Sequence, residues 1–207
     1  MTKVLVLNSS LSGDASASRA LVQTAVDALS RPGVAIIERD LGADPIPHLT
    51  PETVGTVRGA EPVTQSQHEA RALADSLIAE LKDADVLVIG APMYNFAIPT
   101  GLKAWFDHVL RAGVTFKYSE AGPEGLVTGK KAIVMLSRGG LYSEGPAAGL
   151  DFQEPHLRTL LGFMGVTDVT FVRAEKLGYG PAAVEQAMGE ARDHIGAVID
   201  ADFRKAA

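Results

Sequence analysis

The chain has 207 residues, of which 46% are hydrophobic and 21% charged, and it contains no cysteine. This composition is typical of a globular protein, and the lack of thiols excludes disulfide frameworks, thiolate nucleophiles and cysteine-ligated metal sites. Lysine and arginine number 19 against 25 acidic residues, and the resulting formal net charge of −6 does not indicate a nucleic-acid partner.

No stretch of the sequence has the form of a targeting or membrane-spanning segment. The N-terminal apolar run Val4–Leu7 is shorter than the core of a secretory signal. The longest stretch without charge, Val86–Leu102, contains Pro92, Pro99 and two glycines, which rules it out as a membrane helix. The sequence therefore predicts a cytoplasmic protein that binds neither membranes nor nucleic acid.

Five short apolar runs predict the strands of a parallel sheet. They lie at Val4–Leu7, Val34–Ile37, Val86–Ile89, Ile133–Leu136 and Val169–Val172. Runs that are continuously apolar, rather than alternating with polar residues, indicate strands that are buried on both faces. Such strands occur in sheets that helices cover on both sides.

Segments with apolar residues at helical spacing separate these strands. They predict helices at Ala20–Leu29, Glu69–Leu81, Leu102–Leu110, Leu157–Met164 and Val184–Ile199. Alternating strands and helices are typical of an α/β fold, here a three-layer sandwich with right-handed crossovers. Since no break in composition marks a boundary, we expect one domain over residues 1–207.

The segment 41–67 departs from this regularity, because it contains four prolines and little periodicity. One interpretation is a surface loop. The other is a lid or an interface arm, since long irregular loops in compact domains are often functional.

A serine-rich loop follows the first strand, at the edge of the sheet where ligands of such folds bind. Residues 8–19 contain five serines and a glycine and lead into the first helix. Hydroxyls and backbone N–H groups at a helix N-terminus bind phosphate well. The alternative is that Ser16 or Ser18 only caps the helix. This loop has neither the dinucleotide-binding fingerprint nor the P-loop pattern, and a fingerprint-like run at Gly178–Ala183 is interpreted as a turn.

Two further loops have the composition of a site for a planar ring. The third strand leads into Met93, Tyr94, Asn95 and Phe96, which offer flat apolar surface and amide groups, although packing alone is an alternative for the two aromatics. The fourth strand ends in Ser137-Arg138-Gly139-Gly140, where paired glycines permit close approach of a ligand or simply form a turn. Flavin mononucleotide (FMN) fits a phosphate site beside a ring site. The five histidines are scattered, so no metal site is expected.

At these loops the sequence resembles the FMN-dependent NADH azoreductases, a family of flavodoxin-like quinone reductases. The motifs that carry the resemblance are Ala91–Phe96, Arg111–Phe116, Gly122–Leu126, Ser137–Gly140 and Leu161–Phe163. The resemblance implies a flavodoxin-like fold with strand order 2-1-3-4-5. It also implies a homodimer in which each subunit binds one noncovalent FMN and the partner completes each flavin site.

The resemblance also assigns roles to individual residues. The phosphate would contact Ser10, Ser16, Ala17 and Ser18, with Ala17 contributing its backbone N–H. The isoalloxazine would contact Met93, Tyr94, Asn95, Phe96, Ser137, Arg138, Gly139 and Gly140. Tyr118 and Phe163 are candidates for contact with the substrate, and core packing is the alternative for Phe163.

The activity that follows is ping-pong transfer of hydride from NADH or NADPH through FMN to quinones or azo compounds, with two cycles per azo bond. No side chain is expected to act as a catalytic acid or base, because the cofactor carries the chemistry. Two other classes remain: an electron carrier of the flavodoxin type without its own small-molecule substrate, and a binding module with an empty site.

Overall fold

The computed structural model describes residues 1–204. The strands, in chain order, are β1 (Thr2–Asn8), β2 (Val34–Asp40), β3 (Val86–Pro92), β4 (Phe116–Ser119), β5 (Gly122–Gly125), β6 (Lys131–Ser137) and β7 (Asp168–Ala174). The α-helices are α1 (Ala17–Leu29), α2 (Val54–Val57), α3 (Gln65–Asp83), α4 (Thr100–Val109), α5 (Glu154–Met164) and α6 (Pro181–Ile199). A π-helical turn, Asp200–Arg204, follows α6.

Five of the strands form one parallel sheet in the order β2-β1-β3-β6-β7. When only these strands are numbered, the order is 2-1-3-4-5, so the predicted topology is confirmed. Each predicted strand lies within an observed one. The order reverses direction beside β1, and the carboxyl ends of β1, β3 and β6 therefore lie next to one another at one edge of the sheet.

Alternate residues of each central strand pack against helices on opposite faces of the sheet. Val4 and Val6 contact the layer formed by α1 and α6, whereas Leu5 and Leu7 contact the layer that contains α3, α4 and α5. This alternation follows from the two-residue period of a strand. Because both faces are buried, the continuous apolar runs of the sequence have a physical explanation, and the three-layer α/β sandwich is confirmed.

The segment 41–67 is irregular apart from the single turn of α2 and the first residues of α3, and hydrogen bonds attach it to the helices beside it. Arg71 of α3 donates to the carbonyl oxygen of Thr56 at 3.1 Å, and the buried Arg111 donates from Nε to the carbonyl of Val57 at 2.7 Å. Thr64 caps α3 through a reciprocal capping box with Gln67. The segment is thus held at α2 and at its carboxyl end.

The antiparallel hairpin β4–β5 was not among the predicted elements. It packs on the end of α5, where the chain turns at Gly165 with a φ of 100°. At the contact, a Cβ on Gly125 would lie 2.2 Å from the backbone nitrogen of Gly165. Only glycine allows the two backbones to approach so closely.

In the part of the chain that the structure describes, no helix combines the length and the apolar character needed to cross a bilayer.

Candidate functional site

The serine loop (residues 9–18) lies at the carboxyl edge of the sheet and leads into α1. Ser16 caps this helix, since its Oγ accepts a hydrogen bond from the backbone N–H of Arg19 at 3.2 Å. The Oγ of Ser18 lies 3.1 Å from the Oγ of Ser16, and the Ser18 residue is only 1% exposed. Capping therefore accounts for Ser16 but not for a second buried hydroxyl beside it.

The first turn of α1 also has unused donors. Within residues 1–204, no protein group accepts a hydrogen bond from the N–H of Ala17 or of Ser18. Free N–H groups at a helix N-terminus, together with the helix dipole, favour a bound anion. The structure thus combines two N–H donors and two buried hydroxyls at one place, which is the donor set that a phosphate group requires.

Neighbouring segments hold the serine loop in place on both sides. Ser9 donates from its Oγ to the carbonyl of Gly90 at 2.6 Å, and the N–H of Leu41 donates to the carbonyl of Asn8 at 2.7 Å. Gly42 packs directly on the loop, because a Cβ there would lie 2.2 Å from the carbonyl oxygen of Ser10. The loop is therefore preorganised by contacts within the protein.

An ion pair joins the first turn of α1 to the end of β2. The guanidinium of Arg19 contacts the carboxylate of Asp40, whose Oδ1 also accepts from the N–H groups of Gly42 and Ala43. Burial would raise the pKa of Asp40, but these hydrogen bonds hold it below its usual value. The guanidinium in the first turn of α1 is thus already paired with a carboxylate.

The first ring loop (residues 93–97) is tied to the serine loop by Tyr94. Its hydroxyl accepts a hydrogen bond from the N–H of Leu11 at 2.9 Å and lies 3.4 Å from the Oγ of Ser10. Burial would raise the pKa of the Tyr94 hydroxyl, but its hydrogen bonds to the serine loop lower that pKa below its usual value. Tyr94 thus links the candidate phosphate and ring sites and does more than fill space.

The first ring loop ends in a tight turn with an unusual backbone. Tyr94 and Ala97 exchange two backbone hydrogen bonds of 3.0 and 3.1 Å, and between them Asn95 and Phe96 have φ values of 48° and 72°. Non-glycine residues in this region cost on the order of 1–3 kcal/mol each and cluster at functional sites. Both side chains are exposed, so the turn presents an amide and an aromatic ring at the edge of the sheet.

The second ring loop (residues 137–140) also has unused donors. The carbonyls of Gly139 and Gly140 accept from the N–H groups of Gly178 and Lys176, each at 2.9 Å. Within residues 1–204, nothing accepts from the N–H of either glycine. The N–H of Met93 donates to the carbonyl of Ser137 at 2.8 Å and joins the two ring loops. The arrangement leaves two backbone donors for a ligand that lies against these loops.

Arg138 occupies a different place from its neighbours in the second ring loop. Its guanidinium is fully buried and forms ion pairs with Asp151 and Glu175, at 3.0 and 3.1 Å. Its N–H donates to the carbonyl of Ala174, and its carbonyl accepts from the N–H of Leu177. Its main polar groups are thus engaged inside the protein, in contrast to the free N–H groups of the two glycines.

Tyr118 and Phe163 lie on one groove, apart from the ring loops, and each contacts Phe116. They line a groove whose other lining residues are Arg58, Leu110, Ala112 and Phe116. The ring of Phe116 lies 4.6 Å from that of Phe163 and 5.6 Å from that of Tyr118, centroid to centroid. No residue of the serine loop or of either ring loop lines this groove.

In the described part of the chain, no cluster of three or more histidine, aspartate or glutamate side chains is arranged to hold a metal ion. The titratable groups nearest the candidate site are used in ion pairs and hydrogen bonds of the protein itself. Sequence reasoning did not identify Asp40 and Gly42, which shape the serine loop. The only feature of the sequence that could have indicated them is their position shortly after the predicted second strand, Val34–Ile37.

The fold and the edge of the sheet define a parallel α/β protein in which a loop with buried hydroxyls and free N–H groups lies beside two further loops with free donors. The chain belongs to the family that has the flavodoxin-like fold, whose model matches residues 2–199. This membership confirms the predicted fold class and the family resemblance.

Several proteins that closely resemble the chain have names that state an activity. A protein of Hyphomonas neptunium is 58% identical over 200 residues, which is 96% of both chains, and one of Escherichia coli K12 is 52% identical over 204 residues, 97% of this chain and 100% of its own. Each is named FMN-dependent NADH:quinone oxidoreductase. The crystal structure of an azoreductase from Bacillus anthracis superposes with a TM-score of 0.87 at 29% identity, covering 96% of this chain and 98% of that one.

Proposed function

We propose that the chain is an FMN-dependent NADH:quinone oxidoreductase that also reduces azo compounds. The observation that carries this proposal is the donor set at the start of α1, where Ser16 and Ser18 lie buried beside two free N–H groups. Together with the free N–H groups of Gly139 and Gly140, it fits a molecule with a phosphate at one end and a planar ring at the other. FMN has this form, and the names of the relatives at 58% and 52% identity support the choice.

The residues proposed to hold the cofactor divide into two sets. Those at its phosphate are Ser10, Ser16, Ala17 and Ser18, and those at its ring are Met93, Tyr94, Asn95, Phe96, Ser137, Gly139 and Gly140. Ala17 has no polar side chain and would bind through its N–H, as its free donor allows. Arg138 belongs to the ring set of the sequence-based assignment, and its internal contacts point to an indirect role there.

Bound FMN supplies the two-electron chemistry that links NADH to a quinone. The protein binds and orients the ring and stabilises negative charge on it. The free N–H groups of Gly139 and Gly140 and the side-chain amide of Asn95 are the donors available for this purpose. In this proposal no side chain acts as an acid or base at the reacting atoms.

The groove that contains Tyr118 and Phe163 supports a homodimeric site. Within one protomer the groove is separate from the ring loops, and Tyr118 is 72% exposed. In a dimer, the groove of one subunit would cover the ring site of the other, and its aromatic side chains would contact the electron acceptor. We also propose that residues 1–207 form one domain, that NADH or NADPH is the reductant, and that the enzyme works in the cytoplasm on small molecules.

Steady-state kinetics are expected to follow a ping-pong pattern. One open face of the ring would serve both the nicotinamide and the acceptor, so NAD⁺ has to leave before a quinone or azo dye can bind. Initial rates measured against NADH at several fixed quinone concentrations should give parallel double-reciprocal lines. Intersecting lines would show that both substrates bind at the same time. The prediction that they use one binding place in turn would then be wrong.

Replacing Tyr118 with alanine should change the acceptor's kcat/KM several-fold without loss of FMN. An aromatic pair contributes about 0.5–1.5 kcal/mol beyond the burial of its area, which corresponds to such a factor. Tyr179→Ala is the matched control, since Tyr179 is similarly exposed and does not line the groove. If Tyr118→Ala instead loses FMN or no longer dimerises, Tyr118 has a structural role and does not contact the electron acceptor.

A further inference from the structure

A buried arginine lies at the centre of the segment that follows the second ring loop. Arg138 has a side chain with no exposed surface, and its guanidinium faces the carboxylates of Asp151, Glu154 and Glu175. Its Nε donates to Oε1 of Gln153 at 2.9 Å. A guanidinium remains charged at all ordinary pH values and offers donors in several fixed directions. One side chain therefore connects four residues that are distant in sequence from it.

The first connection fixes the beginning of the segment 141–153. Oε1 of Glu175 accepts from the guanidinium at 3.1 Å and also from the N–H groups of Tyr142 and Ser143, at 2.8 and 3.1 Å. Its Oε2 accepts from the hydroxyl of Ser143. Burial would raise the pKa of Glu175, but these donors hold it below its usual value, so the carboxylate stays ionised and able to accept.

The second connection fixes the end of the same segment. Oδ1 of Asp151 accepts from the N–H groups of Gln153 and Glu154, at 2.9 and 3.1 Å, while its Oδ2 pairs with Arg138. The side-chain amide of Gln153 donates to the carbonyl of Ala91, at the end of β3, at 2.8 Å. Arg138 thus joins the segment to the strand that leads into the first ring loop.

Residues near both ends of the segment 141–153 contact the ring loops. The ring of Tyr142 meets that of Phe96 edge to face, with centroids 6.1 Å apart, and the N–H of Phe152 donates to the carbonyl of Phe96 at 3.1 Å. Tyr142 also lies over Gly140, where its ring atoms would be 3.0–3.2 Å from a Cβ. Tyr142 therefore lies between the two ring loops, at a position set by the acceptor that Arg138 holds.

We propose that Arg138 is a positioning residue for the flavin ring: through Glu175, Asp151 and Gln153 it fixes the segment 141–153 and places Tyr142 against Phe96 and Gly140. Tyr142 then becomes a further side chain of the ring site. The proposal rests on the proposed function, since the ring is that of FMN. It differs from a direct contact of Arg138 with the cofactor, which its buried and paired guanidinium does not offer.

Lysine cannot replace arginine in this role. Its single ammonium can reach one or two of these acceptors, whereas the planar guanidinium donates to Gln153 and Glu175 from Nε and Nη1 and pairs with Asp151 through Nη2 without a hydrogen bond. Arg138→Lys keeps the positive charge but lacks the fixed donor directions of the guanidinium. The variant therefore distinguishes an effect of hydrogen-bond geometry from an effect of charge. Arg158→Lys is the matched control: Arg158 pairs with Glu154 on the outer side of the same cluster and does not contact Arg138's other partners.

The experiment compares wild type, Arg138→Lys and Arg158→Lys in two measurements below their unfolding temperatures. In the FMN-free proteins, we expect the backbone amides of Tyr142 and Ser143 to exchange at least about tenfold faster in Arg138→Lys than in wild type. Amide exchange in the central strands should be unchanged. The factor follows because a hydrogen bond to a charged group contributes enough free energy to slow local opening about tenfold. In titrations, the Kd values of FMN and of riboflavin should both rise about tenfold, by the same factor, because the ring and not the phosphate is affected.

A folded Arg138→Lys protein with unchanged exchange at Tyr142 and unchanged flavin Kd values would overturn the proposal. So would equal effects in Arg158→Lys. If Arg138→Lys does not fold, Glu175→Gln replaces it. Its amide oxygen still accepts from the N–H groups of Tyr142 and Ser143, while the bond to Arg138 loses its charge and the Ser143 hydroxyl loses its acceptor. Faster amide exchange and weaker flavin binding, both smaller than in Arg138→Lys, are then expected, and no change contradicts the proposal. Amide exchange needs no flavin, so a wild-type protein that binds no FMN would refute the proposed function separately.

Discussion

Replacing Ser18 with alanine is expected to weaken FMN binding about tenfold to hundredfold while riboflavin, which lacks the phosphate, binds as before. The hydroxyl of Ser18 is buried next to Ser16 at the start of α1, where two N–H groups are free. Hydrogen bonds to a charged group contribute roughly 1.5–3 kcal/mol, and about 1.4 kcal/mol corresponds to a factor of ten. Ser10→Ala should act in the same direction.

The measurement is titration of the FMN-free protein with each flavin. Ser30→Ala provides a control on the same helix, because Ser30 lies at the other end of α1 and its hydroxyl donates only to the carbonyl of Val26. Its affinity for both flavins should equal that of wild type. Equal losses for FMN and riboflavin in Ser18→Ala would mean that this serine shapes the loop and does not hold the phosphate.

Gly125→Ala is expected to lower the free energy of unfolding by about 1–3 kcal/mol, the usual range for an overpacked contact. The new Cβ would lie 2.2 Å from the backbone nitrogen of Gly165, and a backbone atom cannot move aside as a side chain can. The hairpin β4–β5 would shift away from α5 and carry Tyr118 with it. Acceptor kcat/KM should therefore fall, while the Kd of FMN stays within a factor of two to three of wild type.

Gly162→Ala is the control for this substitution, since Gly162 lies within α5 and a Cβ there meets nothing within 4 Å. It should leave stability unchanged or raise it slightly, because alanine favours a helix over glycine. Denaturant unfolding curves compare the variants. A Gly125→Ala protein as stable as wild type would show that the hairpin and α5 separate easily. The close contact between Gly125 and Gly165 would then not contribute to stability.

The central strands could be predicted because they are buried on both faces and their sequences are therefore continuously apolar. The edge strand β2 shows the limit of this signal. Its predicted end was Ile37, but pairing with β1 continues to Asp40, which lies opposite Asn8. Polar residues are compatible with an exposed edge, so hydropathy does not show where such a strand ends. The three additional residues place Asp40 beside the first turn of α1.

The hairpin β4–β5 was missed for a related reason. Each strand has four residues, and β5 reads Gly-Pro-Glu-Gly, which contains no apolar residue with strand preference. Its position depends on the packing of Gly125 against Gly165, a contact between segments forty residues apart. Local sequence patterns carry no information about such a contact.

The loops of the candidate site were predictable because parallel strands bring their carboxyl ends to one edge, so residues after β1, β3 and β6 had to meet there. The sequence could not indicate which side chain of Ser137-Arg138-Gly139-Gly140 faces inward. The acids around Arg138 come from positions 151, 154 and 175, and only the folded chain brings them together.

The most direct test of the account is the flavin content of the purified chain and its response to NADH. One noncovalent FMN per chain is expected, released into the supernatant by acid precipitation, since the sequence has no cysteine and no obvious histidine motif for covalent attachment of a flavin. Anaerobic addition of one equivalent of NADH should bleach the flavin absorbance, and one equivalent of a quinone should restore it. Protein without FMN, or bound FMN that NADH does not reduce, would contradict the account.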